Sequence, residues 1–306
     1  MITPGIQYIT YNDIDKTRWD ACIDKGANGL IYAYSFYLDT MAKHWDALVY
    51  NDYEAVMPLT WNKKYGFYYL YQPAFTASLG VFGNDLDENK VNSFLSQIPS
   101  KFKLAEISLN HGNYFNAKIE NCQLRTNYIL SLDQSYDQLY TSYRANHKRN
   151  ISKAKQLGCL IDKNVTVEQI IELHENHLKH IDGTKPDDYI NFKKLFHYLD
   201  GQNNASVYAI TDHNKKILSS AIFFFSHKRA YYILVGNHPD GKTLGASHAL
   251  IDAFIQDHAG TDLILDFEGS DIRNLAFFYS GFGAKEENYP FLKINNLPWY
   301  VRLLKK

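Results

Sequence analysis

Short apolar runs broken by polar turns recur in two places along the chain. In the first, Ala47-Leu-Val-Tyr50 passes through Asn51-Asp52 into Ala55-Val-Met-Pro-Leu59 and then Phe67-Tyr-Tyr-Leu-Tyr71. In the second, Val207-Tyr-Ala-Ile210 passes through Asp212 to Asn214 into Ile217 to Phe225, then Ala230-Tyr-Tyr-Ile-Leu-Val235. Each group predicts three consecutive strands joined by tight turns, an antiparallel meander. Helical sequence precedes each meander and a strand–helix pattern follows it. The economical reading is two copies of one mixed α/β unit, an N-terminal one over 1–132 and a C-terminal one over 133–306. The linker falls near Leu130 to Ser135.

Helical spacing marks the remaining elements. Ser135-x-x-Gln138 reads as a capping box and Gly158 as a C-terminal stop. Between them Tyr136, Tyr140, Tyr143, His147, Ile151 and Ala154 form one stripe, which predicts a helix over Ser135–Leu157. Thr166-x-x-Gln169 caps a second helix with the face Ile170, Leu173, His177, Leu178 and Ile181, broken at Asp182 to Pro186. Tyr189, Phe192, Phe196 and Leu199 mark a third, and a fourth runs from about Leu244 to His258. The segment Leu263 to Ala284 predicts a buried strand, a tight turn and a short helix. In a continuous strand, Asp266 and Glu268 emerge on one face, roughly 7 Å apart. Ligands collect at such C-terminal strand ends in open α/β sheets.

Composition narrows the field. With 306 residues the chain can bury two ordinary cores. A net charge of -1 argues against a protein that mainly coats nucleic acid or anionic membrane. Cys22, Cys122 and Cys159 form no C-x-x-C pair, so reduced thiols and a cytoplasmic location are expected, with no zinc site. The N-terminus shows no export signal, and no run approaches a membrane span. Tyr and Phe, 24 and 18 in number, imply aromatic cores or a stacking groove, the core reading being the ordinary one.

Four constellations carry chemistry, each beside a plainer reading. Lys242-Thr-Leu-Gly245-Ala246-Ser247, with Gly241 before it, opens a helix after a strand, where small residues let a phosphate approach backbone N–H groups; helix capping alone gives the same pattern. Asp266 and Glu268 can supply a general base, Glu268 being the member that faces the cleft. Alternatively one caps the next helix or pairs with a nearby base. Tyr279 can protonate a leaving group, or serve as a core tyrosine among Phe277, Phe278 and Phe282. Arg144, Lys148 and Lys155 line one helix side, widened by Arg149 and Lys153, as a phosphate-steering face or a solvated one. His174, His177 and His180 are spaced by three, which does not match the i, i+4 spacing of a zinc helix.

In this order the pieces resemble a GNAT-type acyltransferase domain over residues 206 to 295. Lys242-x-x-Gly245-x-Ser247 is similar to the family's pyrophosphate turn, and Tyr279-x-x-x-Gly283 to its tyrosine motif. Lys and Ser replace the usual turn residues, and Ile272 stands where an asparagine is common. The whole chain most resembles the Fem group of bacterial proteins, with two GNAT-like units in tandem. The duplicated meander, the helix from Arg144 to Ala154 and the block from Asp266-Phe-Glu-Gly-Ser270 to Ala284 carry this. The resemblance implies an acyltransferase: an activated acyl donor, acyl-CoA or a carrier-protein thioester, used as co-substrate with no tightly bound cofactor, and a small amine or cell-wall precursor as acceptor. Fem members that take amino acids from tRNA to peptidoglycan precursors supply the alternative, and a fold retained for binding without chemistry is the third. The missing long helical arm tilts the reading towards thioester donors.

Overall fold

The computed structural model describes residues 5–115, 122–178, 184–269 and 271–299. It divides into two compact units. One comprises residues up to Arg125 with those from Asn288 onward; the other is Thr126–Glu287.

The first unit opens with β1 (Ile6–Ile9), α1 (Lys16–Lys25), α2 (Ser35–Met41), β2 (Trp45–Tyr50), β3 (Ala55–Lys64) and β4 (Phe67–Leu70). A short β5 (Phe82–Gly83), α3 (Glu88–Ser96) and β6 (Phe102–Ser108) follow. The Asp15 carboxylate starts α1 by accepting the Thr17 and Arg18 N–H groups, both at 3.1 Å. Strands β1 to β4 form the expected antiparallel run, and β6 joins it parallel to β4 after the helical crossover. Trp19, Tyr37, Phe82 and Phe94 are buried in its core.

The second unit contains β7 (Cys122–Ser131), α4 (Tyr136–Ser142), α5 (Ala145–Gln156), β8 (Leu160–Asp162), α6 (Val167–Leu178) and α7 (Pro186–Asp200). Its meander is β9 (Ala205–Thr211), β10 (Ile217–Ser226) and β11 (Arg229–Asn237). Then come α8 (Pro239–Leu244), α9 (Ala246–His258), β12 (Ile264–Asp266) and α10 (Arg273–Ser280), before the final β13 (Lys285–Asn295). Strand β10 is flanked by β9 and β11, and Leu218 through Phe224 are all buried, which accounts for a run that is apolar apart from Ser219 and Ser220. Phe223 stacks on Phe254 of α9 with centroids 3.9 Å apart, fastening helix to sheet. Strand β12 lies parallel to β11.

Four features depart from expectation. The helix over Ser135–Leu157 is two helices, because Tyr143 and Arg144 are extended, and the Arg144 N–H bonds the Gly281 carbonyl at 2.9 Å. The helix expected from about Leu244 to His258 starts at Ala246, and an unexpected short α8 precedes it, the chain turning between them at Gly245 with φ 76°. The strand ending at Glu268 stops at Asp266, since Glu268 has φ 65° and leaves the β region. The last departure concerns the boundary between the units. Strand β13 pairs antiparallel with β6, Phe291–Asn295 against Leu104–Ser108, so the chain's last described strand belongs to the first unit. Strand β7 takes the corresponding place in the second unit, Ile129–Ser131 against β12. Division therefore falls after Arg125 and again after Glu287, not once at 132/133. The side chains of His177 and Leu178, together with His180, Ile181, Asp182, Gly183 and Ser270, lie outside the described residues.

Candidate active site

The end of β12 decides what each acid can do. Asp266 is buried, and both of its oxygens are engaged. Arg229 Nη1 donates to Oδ2 at 2.8 Å, while Asn127 Nδ2 at 2.8 Å and the Glu268 N–H at 3.0 Å donate to Oδ1. Arg229 also grips Glu287 with both terminal nitrogens, at 2.9 and 2.7 Å. Burial opposes the guanidinium charge, yet Glu287 and Asp266 raise its pKa further above its ordinary value. This closed ion network makes Asp266 a scaffold, which overturns the expectation of two acids side by side on one strand face.

Asn127 completes the scaffold. Its side-chain oxygen accepts the Gly269 N–H at 2.5 Å, one residue after the Glu268 N–H is held by Asp266. Two consecutive amides are thus pinned, and the backbone passes through φ 65° at Glu268 and 90° at Gly269. A left-handed glutamate is unfavourable by about 1–2 kcal/mol and persists only where its surroundings fix it. Here those surroundings are Asp266 and Asn127. Glu268 itself is half-buried.

Tyr279 sits on α10 and stacks on Phe267, with centroids 4.6 Å apart at 22°. Burial and then the Glu268 charge push its phenol pKa up, so it stays protonated at neutral pH. Glu268 and Tyr279 are therefore brought together, and Phe267, which immediately precedes Glu268, stacks on the tyrosine ring.

The C-terminal turn of α10 is clamped from α5. Arg144 gives its backbone N–H to Gly281 O (2.9 Å) and its Nη1 to Phe277 O (3.0 Å), and its guanidinium lies 4.4 Å from the Phe277 ring centroid. His147 Nε2 donates to Phe278 O at 2.8 Å. A side chain at Gly281 would place Cβ 2.0 Å from the His147 ring, so only glycine permits this approach. Burial lowers the His147 pKa, and burial with the nearby His147 lowers that of His248 to about 4. Both rings are neutral at pH 7.

The turn at Gly241 to Ser247 is filled by the protein itself. A Cβ at Gly241 would lie 2.3 Å from the Leu218 carbonyl oxygen, and one at Gly245 would lie 2.4 Å from that of Asn150. Ala246 is fully buried, and Ser247 Oγ donates to Asn237 Oδ1 at 2.7 Å. These small residues answer to close packing on α5 and β10, while Lys242 is exposed. Of the basic face, Arg144, Arg149, Lys153 and Lys155 are exposed. Lys148 bonds the Thr141 carbonyl at 3.0 Å, and Lys155 lies 3.8 Å from the buried Asp252.

His174 Nδ1 donates to Val235 O at 2.7 Å, a packing role, and no metal-binding cluster occurs among the described residues. Sequence reasoning missed Asn127, Arg229 and Glu287. A charged residue opening the apolar strand β11 and the acid pair Glu286-Glu287 were the available signals; Asn127 gave none.

No protein-family model matches the sequence, and a search of curated proteins finds no match. Solved structures do match. The chain superimposes on FemX with a TM-score of 0.66 at 13% identity, covering 98% of this chain and 100% of that one. The fold is Fem-like, a mixed α/β chain that matches FemX over its whole length. A conserved protein of unknown function from Bacteroides thetaiotaomicron matches with a TM-score of 0.57 at 13% identity, covering 95% and 99%. The C-terminal domain of a putative lysylphosphatidylglycerol synthetase from Agrobacterium fabrum matches with 0.51 at 11% identity, covering 95% and 94%. At these identities the likeness establishes the fold alone. No helix among the described residues is long and apolar enough to cross a membrane.

Proposed function

We propose that the second unit transfers an acyl or aminoacyl group from an activated donor to an amine. The observation that carries this reading is Glu268, a half-buried carboxylate held in a left-handed turn beside a buried, protonated tyrosine. Glu268 accepts a proton from the acceptor ammonium, freeing the nitrogen lone pair. The nitrogen attacks the donor carbonyl, forming the new C–N bond. Collapse of the tetrahedral species breaks the bond to the leaving sulfur or oxygen, which takes its proton from Tyr279. The high phenol pKa keeps that proton on Tyr279 until an anion develops beside it. Asp266 acts only through the turn it fixes. Positioning of donor and acceptor supplies most of the rate.

The donor decides between two forms of this reading. An acyl-CoA or carrier-protein thioester needs a seat for its phosphates, and the packing at Gly241 and Gly245 leaves Lys242 as the exposed basic group of that turn. The exposed Arg149 and Lys153 beside Arg144 suit a larger polyanion, which favours an aminoacyl-tRNA donor with a cell-wall precursor as acceptor. The test gives the full chain acetyl-CoA with mixed amines and follows thiol release. In parallel it receives aminoacyl-tRNA with a nucleotide-linked peptide, and loss of the aminoacyl ester is followed. Turnover in one arm, lost in Glu268→Gln, supports the proposal and selects the donor. Absence of turnover in both, with neither CoA nor tRNA bound in calorimetry, leaves a binding protein on this fold.

A further inference from the structure

A cavity of about 540 Å³ lies in the first unit among β1, the C-terminal end of α2, and the strands β2 and β3. That volume is in the range of small-molecule sites. Lys101 borders it just before β6 begins, whereas Asn110 lies beyond the other end of that strand, ~23 Å away for seven residues. It is thus remote from the strand end that corresponds to the β12 site.

Its walls offer flat rings and hydrogen-bond donors. The His44 ring stacks on Trp61 with centroids 4.4 Å apart, and Tyr11 meets Trp45 edge-on at 5.7 Å. The Trp61 indole N–H is buried and has no hydrogen-bond partner among the described residues. That N–H is closed off from the cavity, so Trp61 offers a ligand its ring.

The acceptors, by contrast, are already used. Asp46 is buried; Tyr11 N donates to Oδ1 at 3.1 Å, the Tyr8 hydroxyl bonds Oδ2, and Lys101 lies 3.7 Å away. Lys101 Nζ also donates to the Tyr8 hydroxyl at 2.6 Å. Asp39 receives Trp45 Nε1 on one oxygen at 3.0 Å and Lys16 on the other at 2.7 Å. Lys16 thus balances Asp39, and Lys101 balances Asp46. Lys43 is exposed at the rim, and its ammonium has no ion pair among the described residues. One positive charge is in surplus.

We infer that this cavity binds a small planar monoanion, an aromatic ring bearing a carboxylate. The ring stacks against the Trp61 and His44 wall, and the carboxylate faces Lys43. A sugar is disfavoured because its many hydroxyls need acceptors, and every oxygen of the pocket's two carboxylates already accepts a hydrogen bond. A cation is disfavoured by the surplus charge. The inference is independent of the transferase reading.

Calorimetry on the full chain with benzoate, benzyl alcohol, acetate, glucuronate and phenyl phosphate tests it. Benzoate is expected to bind at least about tenfold more tightly than acetate or benzyl alcohol. Lys43→Ala should weaken it about fivefold, the upper range for an exposed ion pair, and His44→Ala about threefold through lost stacking. Both substituted residues are exposed, so an unchanged thermal midpoint is the folding control. The indole N–H resonance of Trp61, assigned through Trp61→Phe, should move on addition of benzoate. No binding by benzoate, equal binding by glucuronate or benzyl alcohol, or unchanged affinity in both alanine variants overturns the proposal. Tighter binding of phenyl phosphate than of benzoate overturns the carboxylate assignment.

Discussion

Strands β6 and β12 each run parallel to the third strand of a meander, and they end in opposite chemistry. Beyond β6, Asn110 is fully buried and spends every polar atom on its neighbours. Its Nδ2 donates to Leu79 O (3.0 Å) and Val81 O (2.9 Å), and its Oδ1 accepts from Asn28 (2.9 Å) and the Gly112 N–H (3.0 Å). Asn113 adds two further bonds to Val81. Beyond β12, the same kind of stitching is made from ions, Asp266 with Arg229 and Glu287, and it supports a strained, half-buried glutamate. The neutral end is finished architecture. The charged end holds a half-buried carboxylate in a conformation that the chain alone would not choose. Under the proposed transfer reaction, what seals a single strand end separates the unit that carries the chemistry from the one that does not.

The comparison can be broken hardest at Arg229. Arg229→Met removes the guanidinium from the buried Asp266 and the half-buried Glu287, and denaturant titration should show about 3–5 kcal/mol less stability. Asn110→Ala in the first unit should lose less, about 1–3 kcal/mol, because only neutral groups are orphaned. Equal losses would mean that the two ends are built alike.

Activity separates the ends next. Glu268→Gln should lower turnover about 100-fold or more with the thermal midpoint unchanged, whereas Asn110→Asp should act on stability and not on chemistry. A Glu268→Gln enzyme with normal turnover removes that residue from the mechanism.

Acidification is the third probe. His248 titrates near 4 in the folded chain and near 6.5 when unfolded, so the unfolded state binds the extra proton first. Its stabilising contribution is complete above about pH 6.5 and is lost as pH falls towards 4, on the order of 2 kcal/mol after allowance for its partial exposure. Hydrogen exchange should show the loss in the second unit, and His248→Gln should flatten it. The smallest expected effect is Glu268→Gly, which removes the left-handed penalty and should raise stability by about 1 kcal/mol while abolishing turnover.

Much of the architecture was legible because it is periodic. The apolar runs of both meanders, the Ser135 box and the Gly158 stop (φ 74°) all report local rules, and the structure places them as read. Tyr143 and Arg144 misled because the stripe continues through them. What ends α4 there is a tertiary bond to Gly281, which no local pattern encodes. Gly245 was read for its lack of a side chain, correctly, but the atom that fills the space is the Asn150 carbonyl. Asp266 and Glu268 were expected on one strand face because alternation assumes a continuing strand. Asn127, distant in sequence, turns the strand out of register with that assumption.

The placement of β13 has a consequence for how the chain is made. The first unit's sheet includes a strand, β13, that leaves the ribosome only after all of β7 to α10, long after the β6 it pairs with. Until then the Leu104–Ser108 edge has no β13 partner, and an open strand edge is a template for misassembly. The second unit meets no such delay, because its corresponding strand, β7, is synthesised ahead of it. Of the two units, the one whose synthesis starts first is thus the last to close, and a chain stopped after Glu287 should show its defect in that unit.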